Sequence, residues 1–271
     1  MRKSTRENLK MIFRILVGVL YILPVILLFI YSFHPDANFL RTGTKLFPDN
    51  MTLDNYRYVF QNLPVGTYFK NTFIVVVISL PIWLCITSFA AYGITFFNYP
   101  LKNAIFALLL TGYMMPGEVT FIVNYATIHK LDLINTYTAL CITQIASVGA
   151  VILIRNNILS LPISLWEAAR MDGCGKMKYF FHIILPLCKP ILTAQLITHF
   201  IGIYNAYFWP LMVTTRPEWH TIMVGVKNII MTNGFGVACA GSVICSIIPL
   251  GIYLLGQKGI VSGMSAGAVK G

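Results

Sequence analysis

Few side chains in this 271-residue sequence could carry out chemistry, and their spacing excludes the common reactions. The five histidines, His34, His129, His182, His199 and His220, form no H-E-x-x-H and stand at no metal-ligand spacing from a cysteine. The six cysteines form no C-x-x-C and read as small buried hydrophobes, not as disulfides or a metal site. Gly173-Cys174-Gly175-Lys176 looks like the end of a phosphate-binding loop but fails as one. Arg170 stands where that motif needs glycine, and Met177 stands where it needs serine or threonine. No catalytic residue and no metal site are therefore expected, and no ATP-hydrolysing motif is present. One acid, Glu118, interrupts an apolar run, where an ionisable group is costly and reads as functional by default. It is either a proton carrier or a group near the outer mouth that is hydrated or paired across an interface.

The most ordered pattern of polar and apolar residues lies between 159 and 189. Ser164 followed by Glu167 reads as a capping box, with the hydroxyl on the third amide and the carboxylate returning to the cap amide. Leu165, Ala168, Ala169 and Asp172 continue that helix, and Gly173 falls where a left-handed residue would end it. A second short helix is expected through Phe180, Phe181, Ile183 and Ile184, stopping at Pro186. Two short helices at an angle make a knuckle that either rests on the bilayer or docks a partner.

These residues need a scaffold, and composition says which kind. Hydrophobic residues make up 57% of the chain and charged residues 11%, against about 25% charged in soluble domains, so a solvated globular surface cannot be covered. The mean hydropathy is +0.73. Disorder and a soluble α/β enzyme are excluded, and an all-α integral membrane protein is expected. Uncharged runs place six transmembrane helices at about 12–33, 71–97, 103–127, 134–155, 190–213 and 236–256, in one transmembrane domain over 1–271. The runs are continuous and not alternating, which excludes a β-barrel. Pro100 marks a turn, Pro249 a kink, and Pro116-Gly117 a helix break facing protein or water. Ile15 to Phe33 is uncharged for 19 residues with no cleavage site after it, as in a retained anchor.

Basic residues give the orientation. The N-terminal tail, the turn near 102, the 155–189 segment and the C-terminal tail carry 13 of the 20 Lys and Arg, and the other connections carry 7. The positive-inside rule puts both termini and the 159–189 loop in the cytoplasm. The formal charge of +11 is thus explained by orientation, with no nucleic-acid partner. On the outer side, Thr52 is expected to cap a short amphipathic helix with Leu53, Tyr56 and Phe60 on one face. The fifth span ends in Tyr204-Asn205-Ala206-Tyr207-Phe208-Trp209-Pro210. This is either an interfacial aromatic belt or, at Tyr204, Asn205 and Phe208, the lining of a path for a polar solute.

Glu167-Ala168-Ala169, three residues, Gly173, nine residues, then Ile183-x-Leu185-Pro186 match the EAA motif of binding-protein-dependent ABC importer permeases. Leu133 to Tyr137, Tyr204-Asn205 with Trp209-Pro210, and the tail Gly267 to Gly271 resemble the carbohydrate-uptake branch. Nearly the whole chain is similar to the second permease subunit of maltose-type importers. The resemblance implies a type I importer permease fold in the cell membrane of a prokaryote. It implies that Glu167, Ala168, Ala169, Asp172, Gly173, Ile183, Leu185 and Pro186 form the coupling element for an ATPase. The implied partners are a second permease in a heterodimer, two cytoplasmic ATPase subunits or domains, an extracytoplasmic sugar-binding protein and membrane lipid. ATP and magnesium would sit on the ATPase partners, and no cofactor on this chain. In the family the loop at 214–236 reaches into the binding protein, and the C-terminal tail touches the ATPase pair. The alternatives from other classes are a secondary transporter or a membrane-embedded enzyme using Glu118.

Overall fold

The computed structural model describes residues 2–35 and 50–268 and, among them, is built from helices without a strand. Three uninterrupted helices are long and apolar enough to cross a bilayer. They are α1 (Arg2–Tyr31), α3 (Val65–Phe96) and α13 (Phe235–Ala268), whose apolar stretches are Lys10–Tyr31, Val65–Phe96 and Phe235–Gln257. α3 alone is about 48 Å long at 1.5 Å per residue, well beyond one hydrocarbon thickness of about 30 Å.

The other three expected spans are each split in two. The stretch at 103–127 becomes α4 (Lys102–Tyr113) and α5 (Gly117–Lys130), interrupted at Pro116, where a break was expected. The stretch at 134–155 becomes α6 (Tyr137–Ile142) and α7 (Val148–Leu159). Both of these halves start on hydroxyl caps: Thr136 accepts the Ala139 amide at 3.2 Å and Ser147 the Ala150 amide at 3.4 Å. The stretch at 190–213 becomes α10 (Lys189–Tyr204) and α11 (Phe208–Val213), interrupted at Asn205. Between these pairs lie the short helices α8 (Ser164–Met171) and α9 (Lys176–Leu187). The expected outer loop at 214–236 is not irregular throughout. After a 3₁₀ turn at Pro217–Trp219 it contains an eleven-residue apolar helix, α12 (Ile222–Thr232).

The chain separates into two compact units. The first combines the described part of 1–66 with 224–247. Here α2 (Asp54–Asn62) leaves Phe60, and Leu53 just ahead of it, 65% and 63% exposed, and buries Val59. The reason is polar. The Asn55 amide donates to the carbonyls of Ser32 and His34, both at 2.9 Å, and so satisfies groups at the end of α1. The Tyr56 hydroxyl pairs with Ser32 at 2.6 Å, so positions 55, 56 and 59 turn inward. Thr52 still accepts the Asp54 amide at 3.1 Å, although the residue at the cap position is Leu53.

The second unit, 67–223 with 248–271, holds two cores. One joins Val75 and Val76 of α3, Ile128, residues 139–141, Ile203, Trp209 and Val213. Its Trp209 indole donates to the Ala139 carbonyl at 2.8 Å, pinning two half-helices to each other. The other joins α3, α7, α8 and α9 and is the seat of the knuckle.

Candidate functional site

The knuckle starts one residue earlier than the serine-capping pattern predicts. Ile163 holds the cap position in a right-handed conformation, and no side chain caps the helix. The Pro162 carbonyl accepts from Leu165 at 3.2 Å, and that of Ile163 from Trp166 at 2.9 Å. The turn therefore nucleates at Pro162, whose fixed φ suits a helix start. Ser164 is already inside the helix, so the expected capping box with Glu167 does not form. Glu167 remains in the first turn, exposed, where a carboxylate favours the helix dipole.

The expected stop is found. Gly173 has φ +72°. Its amide donates to the Arg170 carbonyl at 3.0 Å, and the Cys174 amide donates to Ala169 at 2.9 Å. That double closure is the Schellman motif, which satisfies the last carbonyls and turns the chain sharply. Only a residue tolerant of the left-handed region serves at Gly173, since other L-residues are strained there.

The second arm does not stop at Pro186. It runs to Leu187 and bends by 73° into α10. Pro186 has no amide to give the regular ladder, and a wider π turn at Phe180–Ile184 precedes it, closed by the Leu185 amide on the Phe180 carbonyl.

What holds both arms in place is aromatic. Tyr92 on α3 stacks on Phe96 at 5.0 Å and packs on Phe180 at 4.8 Å, and its hydroxyl donates to the Lys176 carbonyl at 2.9 Å. Phe96 meets Trp166 edge-on at 4.7 Å and Tyr179 at 5.4 Å, and Trp166 meets Tyr179 at 5.0 Å. Ala169, Tyr179, Phe180 and Ile184 are buried against α3 and α7. Burial, with the Cys174 thiol beside it, raises the Tyr179 phenol above its ordinary pKa of 10. Burial likewise pushes the Cys188 thiol up to about 11, so it is an inert packing group. The opposite face is presented outward: Glu167, Ala168, Asp172, Gly173 and Pro186 are exposed, Met171 is 88% and Ile163 68% exposed, and Ile183 and Leu185 are half-buried. Nothing in the sequence spacing links Tyr92 and Phe96 to partners about 70 to 90 residues further along the chain, so their role has no local signal.

The residues proposed to line a path are not brought together as a set. Tyr204 is 3% exposed and packed near Phe200, whereas Phe208 is 67% exposed. Asn205, also exposed, closes α10 and opens the break before α11. Glu118 is the second residue of α5, and its side chain lies outside the described residues. Of the tail, Gly267 and Ala268 end α13, and residues 269–271 lie outside the described residues.

At the other end of the same unit the 214–223 segment is anchored. The buried Asn71 amide donates to the carbonyls of Glu218 and His220 at 2.8 and 3.0 Å and accepts the Tyr137 hydroxyl at 2.8 Å. Asn135, at φ +58°, accepts the Thr215 amide at 2.8 Å. Burial lowers the His220 imidazole below its ordinary pKa of 6.5, against the opposing pull of a Thr214 hydrogen bond and the Glu218 charge. Trp219 packs edge-on against Tyr137 at 5.0 Å. Among the described residues no group of three metal-ligating side chains converges.

Residues 84–258 match the family described as binding-protein-dependent transport system inner membrane component. The chain is 32% identical over 267 residues to the arabinooligosaccharides transport system permease protein AraQ of Bacillus subtilis, covering 96% of this chain and 94% of that protein. It is 30% identical over 261 residues to the sn-glycerol-3-phosphate transport system permease protein UgpE of Yersinia pestis, covering 92% and 93%. Among solved structures, a chain of a bacterial ABC transporter involved in import of the acidic polysaccharide alginate aligns with a TM-score of 0.78 at 22% identity. That alignment covers 94% of this chain and 97% of that one, and shows the same fold. A chain of the alginate transporter in complex with its pentasaccharide-bound periplasmic protein aligns with a TM-score of 0.66 at 15% identity, covering 94% of each chain.

Proposed function

The chain belongs to the binding-protein-dependent transport system inner membrane components, and from that premise we propose that it is one permease subunit of an ATP-driven sugar importer. It forms half of the translocation pathway, and a second permease forms the other half. In this reading the chain crosses six times, three of the crossings being paired half-helices, so both termini share one side, and the excess of Lys and Arg assigns that side and the 159–189 loop to the cytoplasm of a prokaryotic cell. The substrate class we favour is an oligosaccharide, supported by the relatives named for arabinooligosaccharides, and the relatives named for sn-glycerol-3-phosphate set the competing class.

The observation that carries this reading is the knuckle. Its inner face is fixed to α3 by five aromatic rings and packs on Val151, Ile154 and Ile158 of α7, and its outer face carries Glu167, Ala168, Asp172 and Gly173 on a closed turn. Such an element transmits a push, because packed rings in rotamer minima deform little. Two ATPase subunits bind ATP and magnesium and close together. The exposed knuckle travels with one of them, and α3, α7 and α10 follow. A sugar-binding protein on the outer side delivers the sugar when the bundle opens outward. Each partner shifts the bundle only by binding one of its two states better than the other. Tyr204, Asn205 and Phe208 divide the pathway role: Asn205 and Phe208 face it, and Tyr204 supports the break. Glu118 carries no proton in this scheme.

Purification of the tagged chain from its native membrane tests the proposal. A second permease and an ATPase are expected to co-purify, and reconstituted uptake is expected to need ATP and the binding protein. A chain that purifies alone and takes up solute on a proton gradient overturns it.

A further inference from the structure

A cavity of about 540 Å³ opens where the end of α3, the start of α4 and the end of α7 meet. Its polar lining is Thr95, Asn98, Tyr99, Lys102, Asn103 and Arg155, two cations and no acid. Both cations are fixed by uncharged groups. Lys102 Nζ donates to the Thr95 carbonyl at 2.9 Å, which uses one of its three donors. The Arg155 guanidinium lies 4.2 Å over the Phe106 ring, and its Nε is buried with no hydrogen-bond partner. Neither cation forms an ion pair among the described residues. Two cationic side chains that line one recess at the end of apolar helices, with no carboxylate beside them, favour an anion there.

Beside the cavity, apolar side chains point outward: Leu101, just ahead of α4, is 74% exposed, and Ile105 and Leu108 on α4 are 43% and 72% exposed. The site thus combines a charged recess with an adjoining apolar wall, and Tyr99 is of the residue type that sits at membrane–water interfaces. We propose that this cavity binds the phosphodiester headgroup of an anionic phospholipid of the cytoplasmic leaflet, with the acyl chains lying on α4. The leaflet assignment rests on the orientation proposed above. Arg155 grips the phosphate from α7, Lys102 from the start of α4, and Asn98 and Asn103 supply neutral donors. Basic recesses between spanning helices on the cytoplasmic side take anionic headgroups in this way. A free phosphate ester offers the same charge without the acyl chains, and the experiment separates the two sources.

The intact importer, exchanged into an equimolar mixture of phosphatidylglycerol and phosphatidylcholine, is passed through gel filtration, and the retained lipids are counted. The wild type is expected to retain phosphatidylglycerol in excess. Lys102→Gln is expected to reduce the excess about fivefold, and Lys102→Gln with Arg155→Gln about 30-fold, at roughly one surface charge's worth of attraction each. Lys102→Arg should keep it. Millimolar inorganic phosphate or glycerol phosphate should not displace the lipid, and displacement would make a soluble phosphate the occupant and overturn the proposal. No lipid preference in the wild type, or an unchanged preference in Lys102→Gln, also overturns it. Lys102→Gln sits at a helix start and carries the test if the Arg155 variant fails to assemble. The lipid ratio is read independently of ATPase co-purification, so a failure here is distinct from a failure of the importer assignment.

Discussion

Replacing Gly173 separates two causes of coupling loss that both act at the knuckle. The residue sits at φ +72°, and a Cβ built there meets nothing within 4 Å of this chain. Packing inside the chain therefore adds no penalty, and the whole intrinsic cost is backbone strain. For alanine that is about 1–2 kcal/mol, which lowers the population of the closed turn about 5- to 30-fold. Asparagine tolerates the left-handed region and should cost less, and a β-branched residue more. Strain alone then ranks activity as Gly, Asn, Ala, Val. Exclusion from a tight partner cleft ranks the same variants by size, with Asn worse than Ala. Sugar uptake, ATPase co-purification and hydrolysis stimulated by the loaded binding protein, measured on one preparation of each variant, distinguish the two. Strain predicts that all variants insert in the membrane and lose uptake per ATP hydrolysed in the first order. Wild-type uptake and stimulation in Gly173→Val would refute the claim that the Schellman turn transmits motion.

Ser164→Ala should leave uptake and stability within about 0.5 kcal/mol of wild type, because the hydroxyl caps nothing, whereas a true N-cap would cost about 1 kcal/mol. Trp166→Ala removes a ring held between Phe96 and Tyr179, and local stability measured by hydrogen exchange over 164–187 should fall by about 3 kcal/mol, with ATPase release. Since His220 has a lowered pKa in the folded chain, the unfolded segment binds the proton more readily. Protection of the 214–223 segment should be full above about pH 6.5 and fall as pH drops below it. Hydrogen exchange at pH 7 and pH 5 checks this, and an equal drop in His220→Gln would assign it to another group. Single cysteines at Asn50 and Glu218 in a cysteine-free background should label from outside and one at Lys176 should not; outside labelling at Lys176 would reverse the topology.

The knuckle's stop was legible because glycine has one physical reason to stand at Gly173 after a short amphipathic turn. Its start was not, because the Ser164–Glu167 spacing fits a capping box while Pro162, two residues earlier, nucleates the helix first. The three spans at 103–127, 134–155 and 190–213 were placed by their apolar length, yet hydropathy does not register breaks. The one at Pro116 had a proline to announce it. The one before Ser147 had only a hydroxyl cap inside an apolar run, and the one at Asn205 an amide among aromatics. The inward side of α2 is set by Asn55, which bonds the carbonyls of Ser32 and His34, a long-range pairing that apolar spacing does not register. The contacts that seat the knuckle, Tyr92 and Phe96, join segments far apart in the chain and leave no local signature.

The split spans bear on how the protein is made. A six-residue helix such as α6 is about 9 Å long, far short of the roughly 30 Å hydrocarbon layer, and the backbone after it leaves the helical ladder before α7 begins. Such a segment is a poor client for one-at-a-time release from the insertion machinery, since two of its carbonyls meet side-chain partners only later in the chain, Gln144 at His199 and Ala139 at Trp209, both at 2.8 Å. Biogenesis is therefore post-insertional in its last step. The 134–155 stretch must wait beside the translocation pore, or enter as a straight helix and break afterwards, until α11 has been synthesised. Truncation before Trp209 should leave a chain that quality-control proteases recognise by its unfinished fourth crossing.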